Sequence, residues 1–332
     1  MPLPLRPTLR SLLAPLAHVP GPEATAAVLS VVIGVALLGL KFAAYFLTGS
    51  AAIFSDALES IVNVVASLFA AYSLALAHTP ADPEHPYGHG KVEFLSAGFE
   101  GGMIVLAAVV ILIEAVRDIV RGPGVEKLGI GLVMMAASMA VNGLLGFYLV
   151  RSGKKHGSIT LEADGKHLWS DAVTSAAVLV ALIIMQLGRS PRLAYLDPIT
   201  AVGVAVYITV TGIGLLRRSA AGLMDKQDVA DTLLLTHILD SHLGPDGKDP
   251  KICSYHKLRH RHSGRYHWVD FHIMVPAWWD IDRGHRVASN IEYEIEQALR
   301  EGNATAHVEP CPEADCRACA SAKEELAADE RR

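Results

Sequence analysis

The chain changes character near Leu216. Before it, apolar residues run in long unbroken stretches; after it they come at spaced intervals between charged and histidine-rich segments. Six apolar stretches lie near 25–48, 52–76, 95–117, 128–150, 170–187 and 198–216. Each is close to the ~20 residues that an α-helix needs to cross a hydrocarbon core of ~30 Å. They predict six membrane-spanning helices, and an even number puts both termini on one side. Past Leu216, Val229, Leu233, Leu234, Ile238 and Leu239 fall near helical spacing over 226–242, and Gly244-Pro245-Asp246-Gly247 ends that helix. Strands are predicted at about 251–259 and 265–275. In the second, His267, Val269, Phe271, Ile273 and Val275 alternate with Tyr266, Trp268, Asp270, His272 and Met274. Residues 283–300 read as a helix, with Val287, Ile291, Ile295 and Leu299 at steps of four, and 304–309 as a last strand. The predicted fold class is a polytopic α-helical membrane protein with six transmembrane helices, plus a C-terminal α+β domain in the order αββαβ.

Composition and charge refine this picture. A chain that is 51% hydrophobic and 19% charged belongs partly in lipid and partly in water. The net charge of −5, with no basic patch interleaved with aromatics, argues against a nucleic-acid partner. With the N-terminus cytoplasmic, the inner segments hold Arg6, Arg10, Lys91, Arg151, Lys154, Lys155, Lys166, Arg217, Arg218 and Lys226. The outer loops then hold only Arg117, Arg121, Lys127, Arg189 and Arg192, so the positive-inside rule favours both termini in the cytoplasm. That compartment is reducing, and the four cysteines do not make a secreted disulfide framework. Residues 1–23 lack the small-residue cleavage site of a signal peptide and read as a short tail.

Two polar pairs stand out in this apolar background. Glu59 with Asn63, and His167 with Asp171, are four residues apart, which on a helix puts both groups on one face. Polar groups within a bilayer cost several kcal/mol unless partnered, so the two pairs invite a reading in which they face each other across an ion. Lys41, Asp56, Glu100, Glu114, Asn142 and Asp197 are further polar residues in or beside the spans. Glu114 and Asp197, near span ends, read as interfacial or capping residues. Asp56 can share the face of Glu59 and is read as a packing or supporting residue, with ligation as the lesser reading.

The six spans, the two pairs, the run His85-Pro86-Tyr87-Gly88-His89-Gly90-Lys91 and the trailing αββαβ domain together resemble the cation diffusion facilitator family, over roughly residues 25 to 310. The resemblance implies a homodimeric antiporter that exports divalent transition metal from the cytoplasm against protons, with a metallochaperone-like cytoplasmic domain. The implied domains are a cytoplasmic tail (1–23), a six-helix transport domain (24–217), a metal-binding and dimerisation domain (218–310) and a Cys-containing charged tail (311–332). Such a protein is a secondary active transporter in the inner or plasma membrane and not an enzyme. Carried over residue by residue, the transport site would be Glu59, Asn63, His167 and Asp171. The family more often has Asp or His followed by Asp on span two, so Glu59 and Asn63 depart from its pattern. Two carboxylates, one amide oxygen and one neutral imidazole leave a bound divalent cation near charge balance. Nitrogen ligation ranks zinc first and iron second, with cobalt and nickel also compatible and manganese lower.

The same resemblance implies a loop site of Asp82, His85 and His89, against which stands a role of that loop in turn geometry alone. It also implies a Lys91–Asp225 ion pair, and a binuclear site of His256, His272, His285, His307 and Glu309 in the cytoplasmic domain. Metal would thus be both cargo and structural ligand. His260, His262 and His267 fall outside that match and read as surface or hairpin residues. Cys253 reads as a small buried hydrophobe. Cys311, Cys316 and Cys319 read either as part of a reduced tail or as a thiolate-rich site that senses or staples. Two readings rival transport. A metal-sensing scaffold would fit the altered span-two pair and the Cys-rich tail. An intramembrane metallohydrolase would need a motif such as His-Glu-x-x-His, which the chain lacks.

Overall fold

The computed structural model describes residues 19–48, 51–121, 130–188, 196–299, 301–312, 316 and 319–320, with some side chains at helix ends excepted. The chain divides into two compact units, Met1–Leu223 and Met224–Arg332.

Among the described residues the first unit holds six long helices: α1 (Gly21–Thr48), α2 (Ala51–Ala77), α3 (Val92–Arg121), α4 (Ile130–His156), α5 (Ile159–Gly188) and α6 (Leu196–Leu223). Among the described residues, α1, α2, α3, α4 and α6 are long and apolar enough to span a membrane by length and composition. Helix α5 is 30 residues long, but its first half carries Glu162, Asp164, Lys166, His167 and Asp171. The fifth span therefore begins well before the expected residue 170. Its polar first half can sit there because those groups are paired inside the bundle, Glu162 with Lys166 and Arg218, and Asp164 with the Ser30 and Ser67 hydroxyls. Helices α1 and α2 pack together, as do α4 and α5, and α3 packs along α6. Many large apolar side chains, Val32, Leu40, Leu106, Ile113 and Val210 among them, face outward, as lipid contact requires.

Close helix approach is written in glycine. A Cβ on Gly165 would meet the Val150 nitrogen at 2.6 Å and the Gly146 oxygen at 2.8 Å, and one on Gly146 would meet the Gly165 oxygen at 2.8 Å. Helices α4 and α5 thus touch backbone to backbone, as small residues permit in membranes. Their connection is two residues long. Gly157, at φ +75°, ends α4, and the Ser158 N–H donates to the Gly153 carbonyl at 3.0 Å, a Schellman closure. Ser158 then caps α5, its hydroxyl accepting from the Leu161 N–H at 3.3 Å and donating to Glu93 at 2.6 Å.

The second unit contains α7 (Val229–Ser241), β1 (Ser254–Ser263), β2 (Tyr266–Val275), α8 (Ile281–Ala298) and β3 (Gly302–Pro310). The sheet order is β1-β2-β3, with β1 antiparallel and β3 parallel to β2. Asp228 caps α7 and Asp280 caps α8. Val269, Phe271, Ile273 and Val275 of β2 pack under Val287, Ile291 and Ile295 of α8 and Leu235, Ile238 and Leu239 of α7. The apolar stripe of α7 is therefore offset from the expected one: Val229 and Leu233 are exposed, and Leu235 is buried. Strand β1 runs to Ser263, four residues past the expected end, because its last turns pair with β2 through polar and histidine side chains that carry no apolar alternation. A bulge at Lys257, φ +53°, shifts the register between His256 and Arg259.

Candidate functional site

In the membrane unit, α2 and α5 bring Asn63, His167 and Asp171 together. The Asn63 Nδ2 donates to Asp171 Oδ2 at 2.8 Å, and the Asn63 Oδ1 lies 3.1 Å from His167 Nε2. His167 Nε2 is 3.9 Å from the same Asp171 oxygen. Glu59 stands one turn before Asn63 on α2, and its side chain lies outside the described residues, as does that of Asp56. A cavity of about 20 Å³, room for about one water or bare ion, is bordered by Asn63, Ser30, Lys41, Ser60, Ser67 and Asn142.

Two buried acids support this group. Glu100 of α3 is fully buried, and its Oε2 lies 3.7 Å from His167 Nδ1. Among the described residues neither Glu100 oxygen accepts a hydrogen bond. Asp164, one turn before His167 on α5, accepts from the Ser30 hydroxyl at 2.7 Å and the Ser67 hydroxyl at 3.2 Å. It thereby ties α5 to α1 and α2. Glu100 was visible in sequence only as one more polar residue in a span. Asp164 was missed, although its spacing of three from His167 was a signal once the helix is known to start at Ile159.

The loop between α2 and α3 folds Asp82, His85 and His89 onto one another. The Asp82 Oδ1 accepts from the backbone N–H groups of Glu84 at 2.9 Å and His85 at 2.6 Å. His85 Nδ1 lies 3.2 Å and His89 Nε2 3.4 Å from the Asp82 carboxylate, and the two imidazoles are 4.4 Å apart. The His85 backbone N–H, with the His85 ring and the Glu84 N–H, holds the Asp82 carboxyl below its ordinary range. One carboxylate and two imidazoles within ligand reach of each other suit a small divalent cation.

In the second unit, register builds a third group. His256 pairs with His272 across β1 and β2, and His272 with His307 across β2 and β3. The three histidines lie in a row on the face of the sheet opposite the helices. Glu309, two residues after His307 and on the same face, lies 2.8 Å from His272 Nδ1 and 3.2 Å from His256 Nε2. The hydrogen bond with His272, aided by the His256 charge, keeps the Glu309 carboxyl below its usual value. His307 is at the rim, 3.8 Å from Glu309 and largely exposed. His285 is not part of this group within one chain. It is exposed on α8, which covers the other face of the sheet.

The bulge at Lys257 creates a fourth group that sequence reasoning missed. On a regular strand His256, His260 and His262 would share one face. The extra residue sends His260 and His262 to the helix side, where His262 and His267 both reach the Asp231 carboxylate, at 2.8 and 3.1 Å. His260, 5% exposed, lies 2.8 Å from the Thr232 hydroxyl. These are therefore strand residues packed against α7, not hairpin surface. Burial lowers the pKa of His260 and of His267 against the pull of Asp231. Asp225 takes Arg261 as a partner at 3.5 Å within its own unit.

Helix-borne metal-capable groups in a six-helix membrane unit, joined to a soluble sheet domain with a second set of such groups, define an integral membrane protein built to handle cations. Residues 27–224 match the model of the cation efflux transmembrane domain, and 247–311 that of the cation efflux protein cytoplasmic domain. The chain belongs to the cation efflux, or cation diffusion facilitator, family, whose members are transporters and not enzymes. It is 37% identical to an uncharacterized transporter of Synechocystis sp. over 86% of its own length and 89% of the relative. It is 28% identical to the manganese efflux system protein MneP of Bacillus subtilis, over 75% of this chain and 82% of that one. With the cation-efflux pump FieF of Shewanella oneidensis it shares 26% identity over 85% and 92% of the two chains.

Proposed function

We propose that this protein exports a divalent transition metal, zinc foremost, from the cytoplasm in exchange for protons, through a site made by Glu59, Asn63, His167 and Asp171. The observation that carries this reading is the convergence of Asn63, His167 and Asp171 from two helices onto one buried point. Asp171 offers an anionic oxygen, Asn63 a neutral one and His167 an Nε2 lone pair, a mixed set that suits zinc, iron, cobalt or nickel better than a hard cation. A relative named for manganese keeps that ion in the panel to be tested.

Proton coupling follows from one atom. With no cation bound, a proton on His167 Nε2 is donated to Asn63 Oδ1. Cation binding needs that nitrogen's lone pair, so the proton must leave or move to Nδ1, which Glu100 faces. Rocking of the helix pairs would then expose the ion outward, where protonation of His167 and Asp171 drives release. With Asn63 in place of a carboxylate, fewer protons move per metal than a three-acid site would allow.

Both termini are placed in the cytoplasm, in the inner or plasma membrane, and two copies pair through the cytoplasmic domain. Asp82, His85 and His89, and separately His256, His272, His307 and Glu309, serve as accessory metal sites, with His285 a candidate ligand only toward a second copy. The test is uptake of zinc, iron, cobalt, nickel and manganese into proteoliposomes across a pH gradient, with a pH dye reporting proton movement. His167→Ala and Asp171→Ala are each expected to lower uptake ~100-fold or more. Uptake retained in both variants refutes the site, and uptake without dye response refutes the exchange.

A further inference from the structure

The chain has four cysteines, and the fold collects all of them at one place. Cys253 enters β1 and Cys311 leaves β3, strands that flank the end of β2 on opposite sides. The Cys253 N–H donates to the Met274 carbonyl and the Cys311 N–H to the Val275 carbonyl, both at 2.8 Å, so the end of β2 sets both backbones. Cys316 and Cys319 lie beside them, and the Ala320 N–H donates to the Cys316 carbonyl at 3.0 Å. All four sulfurs lie within 4.8 Å of one another, and Cys253 Sγ is 3.3 Å from Cys319 Sγ.

Those separations discriminate between chemistries. A disulfide needs sulfurs ~2.05 Å apart, and all four thiols are free. Four thiolates at ~2.3 Å around one zinc lie ~3.8 Å from each other along the edges of a tetrahedron, which fits this cluster. The Cys-x4-Cys-x2-Cys spacing of Cys311, Cys316 and Cys319 also occurs in plant-type iron–sulfur proteins. A two-iron cluster, however, holds its two pairs of thiolates farther apart than sulfurs that are all mutual neighbours. Four thiolates around a dication leave excess negative charge, which N–H donors must offset. The backbone N–H of Cys319 is one such donor toward Cys316.

We propose that Cys253, Cys311, Cys316 and Cys319 form a closed tetrathiolate site for one soft divalent ion, zinc by preference, which clasps the segment after β3 onto the ends of β1 and β2. Four protein ligands leave no open position, so the ion is a resident staple and not cargo. The site holds the strands that carry His256 and Glu309, three residues after Cys253 and two before Cys311 respectively. It stands whether or not the membrane site carries the metal assigned to it above.

The test uses the full-length protein in detergent, reduced, stripped by chelator and titrated with cobalt. Wild type is expected to take up one equivalent with thiolate-to-cobalt charge-transfer absorption, which zinc displaces. The Cys316→Ser/Cys319→Ser protein is expected to lose that absorption and to bind that equivalent ~100-fold more weakly. The His256→Ala/His272→Ala protein is expected to keep the absorption, which separates this site from the histidine group. Wild type without the charge-transfer band overturns the proposal, as does a band that survives loss of the two thiols. Bound iron with acid-labile sulfide, or a mass showing two disulfides after purification without reductant, overturns it as well.

Discussion

The membrane group and the sheet group use the same ligand types in opposite settings. Asn63, His167 and Asp171 meet through helix periodicity, in a bundle where His167 is 4% exposed and every neighbouring acid is tied to a hydroxyl or faces an imidazole. His256, His272, His307 and Glu309 meet through strand register, on a sheet face open to water. In the bundle each polar group depends on its partners, because no water can replace them. On the sheet, water can replace any one partner at little cost. The buried group is thus suited to a switch between few discrete states, and the exposed one to graded, exchangeable occupancy.

This contrast predicts a descending series of effects. Gly165→Leu should be worst, since even a Cβ there meets backbone atoms at 2.6 and 2.8 Å. A loss of ~3 kcal/mol or more is expected, read as a collapse of the thermal transition in detergent together with transport. An unchanged transition would show that the α4–α5 crossing does not set the site. Asp164→Ala comes next. It removes the carboxylate acceptor of the Ser30 and Ser67 hydroxyls, leaving them only each other at 3.0 Å, and should cost ~1–3 kcal/mol in thermal stability, whereas Asp164→Asn should recover part of that by still accepting from one serine. His256→Ala/His272→Ala should remove metal held by the histidine group of the cytoplasmic domain, leaving any ion held by the four cysteines, while lowering vesicle uptake only a few-fold. A loss as deep as that of Asp171→Ala would erase the distinction between the two groups.

The smallest effect is on pH. Burial depresses the pKa of His260 and His267 in the folded state, so protons bind the unfolded chain more tightly. Their contribution to stability is complete above the ordinary histidine pKa of ~6.5 and is lost as pH falls from there through the lower folded values. Thermal stability of the full chain should decline slightly over that window, and His260→Asn should flatten the decline. A steeper slope in the variant would contradict the assignment.

Part of this molecule could be read without coordinates. Long apolar runs can be satisfied only by spanning helices, because lipid offers no hydrogen bonds to a backbone. The period-2 pattern of β2 and the four-residue steps of α8 likewise predicted which residues are buried, since both depend on local geometry alone. Equal spacing also put His167 and Asp171 on one helix face. The cost of burying the two pairs also suggested that they face each other, but most other meetings of distant segments could not be read from the sequence. Asp164 looks like a charge outside a span until Ser30 and Ser67 are seen to neutralise its burial. One left-handed residue at Lys257 divides the histidines of β1 between the two faces of the sheet, and no composition rule shows it. Cys253 gains its three thiol neighbours only because the fold sets Cys311, Cys316 and Cys319, some sixty residues on, beside it. Patterns within one element follow from its period, whereas a site follows from how the whole chain balances packing against desolvation, and that balance exists only in the folded molecule.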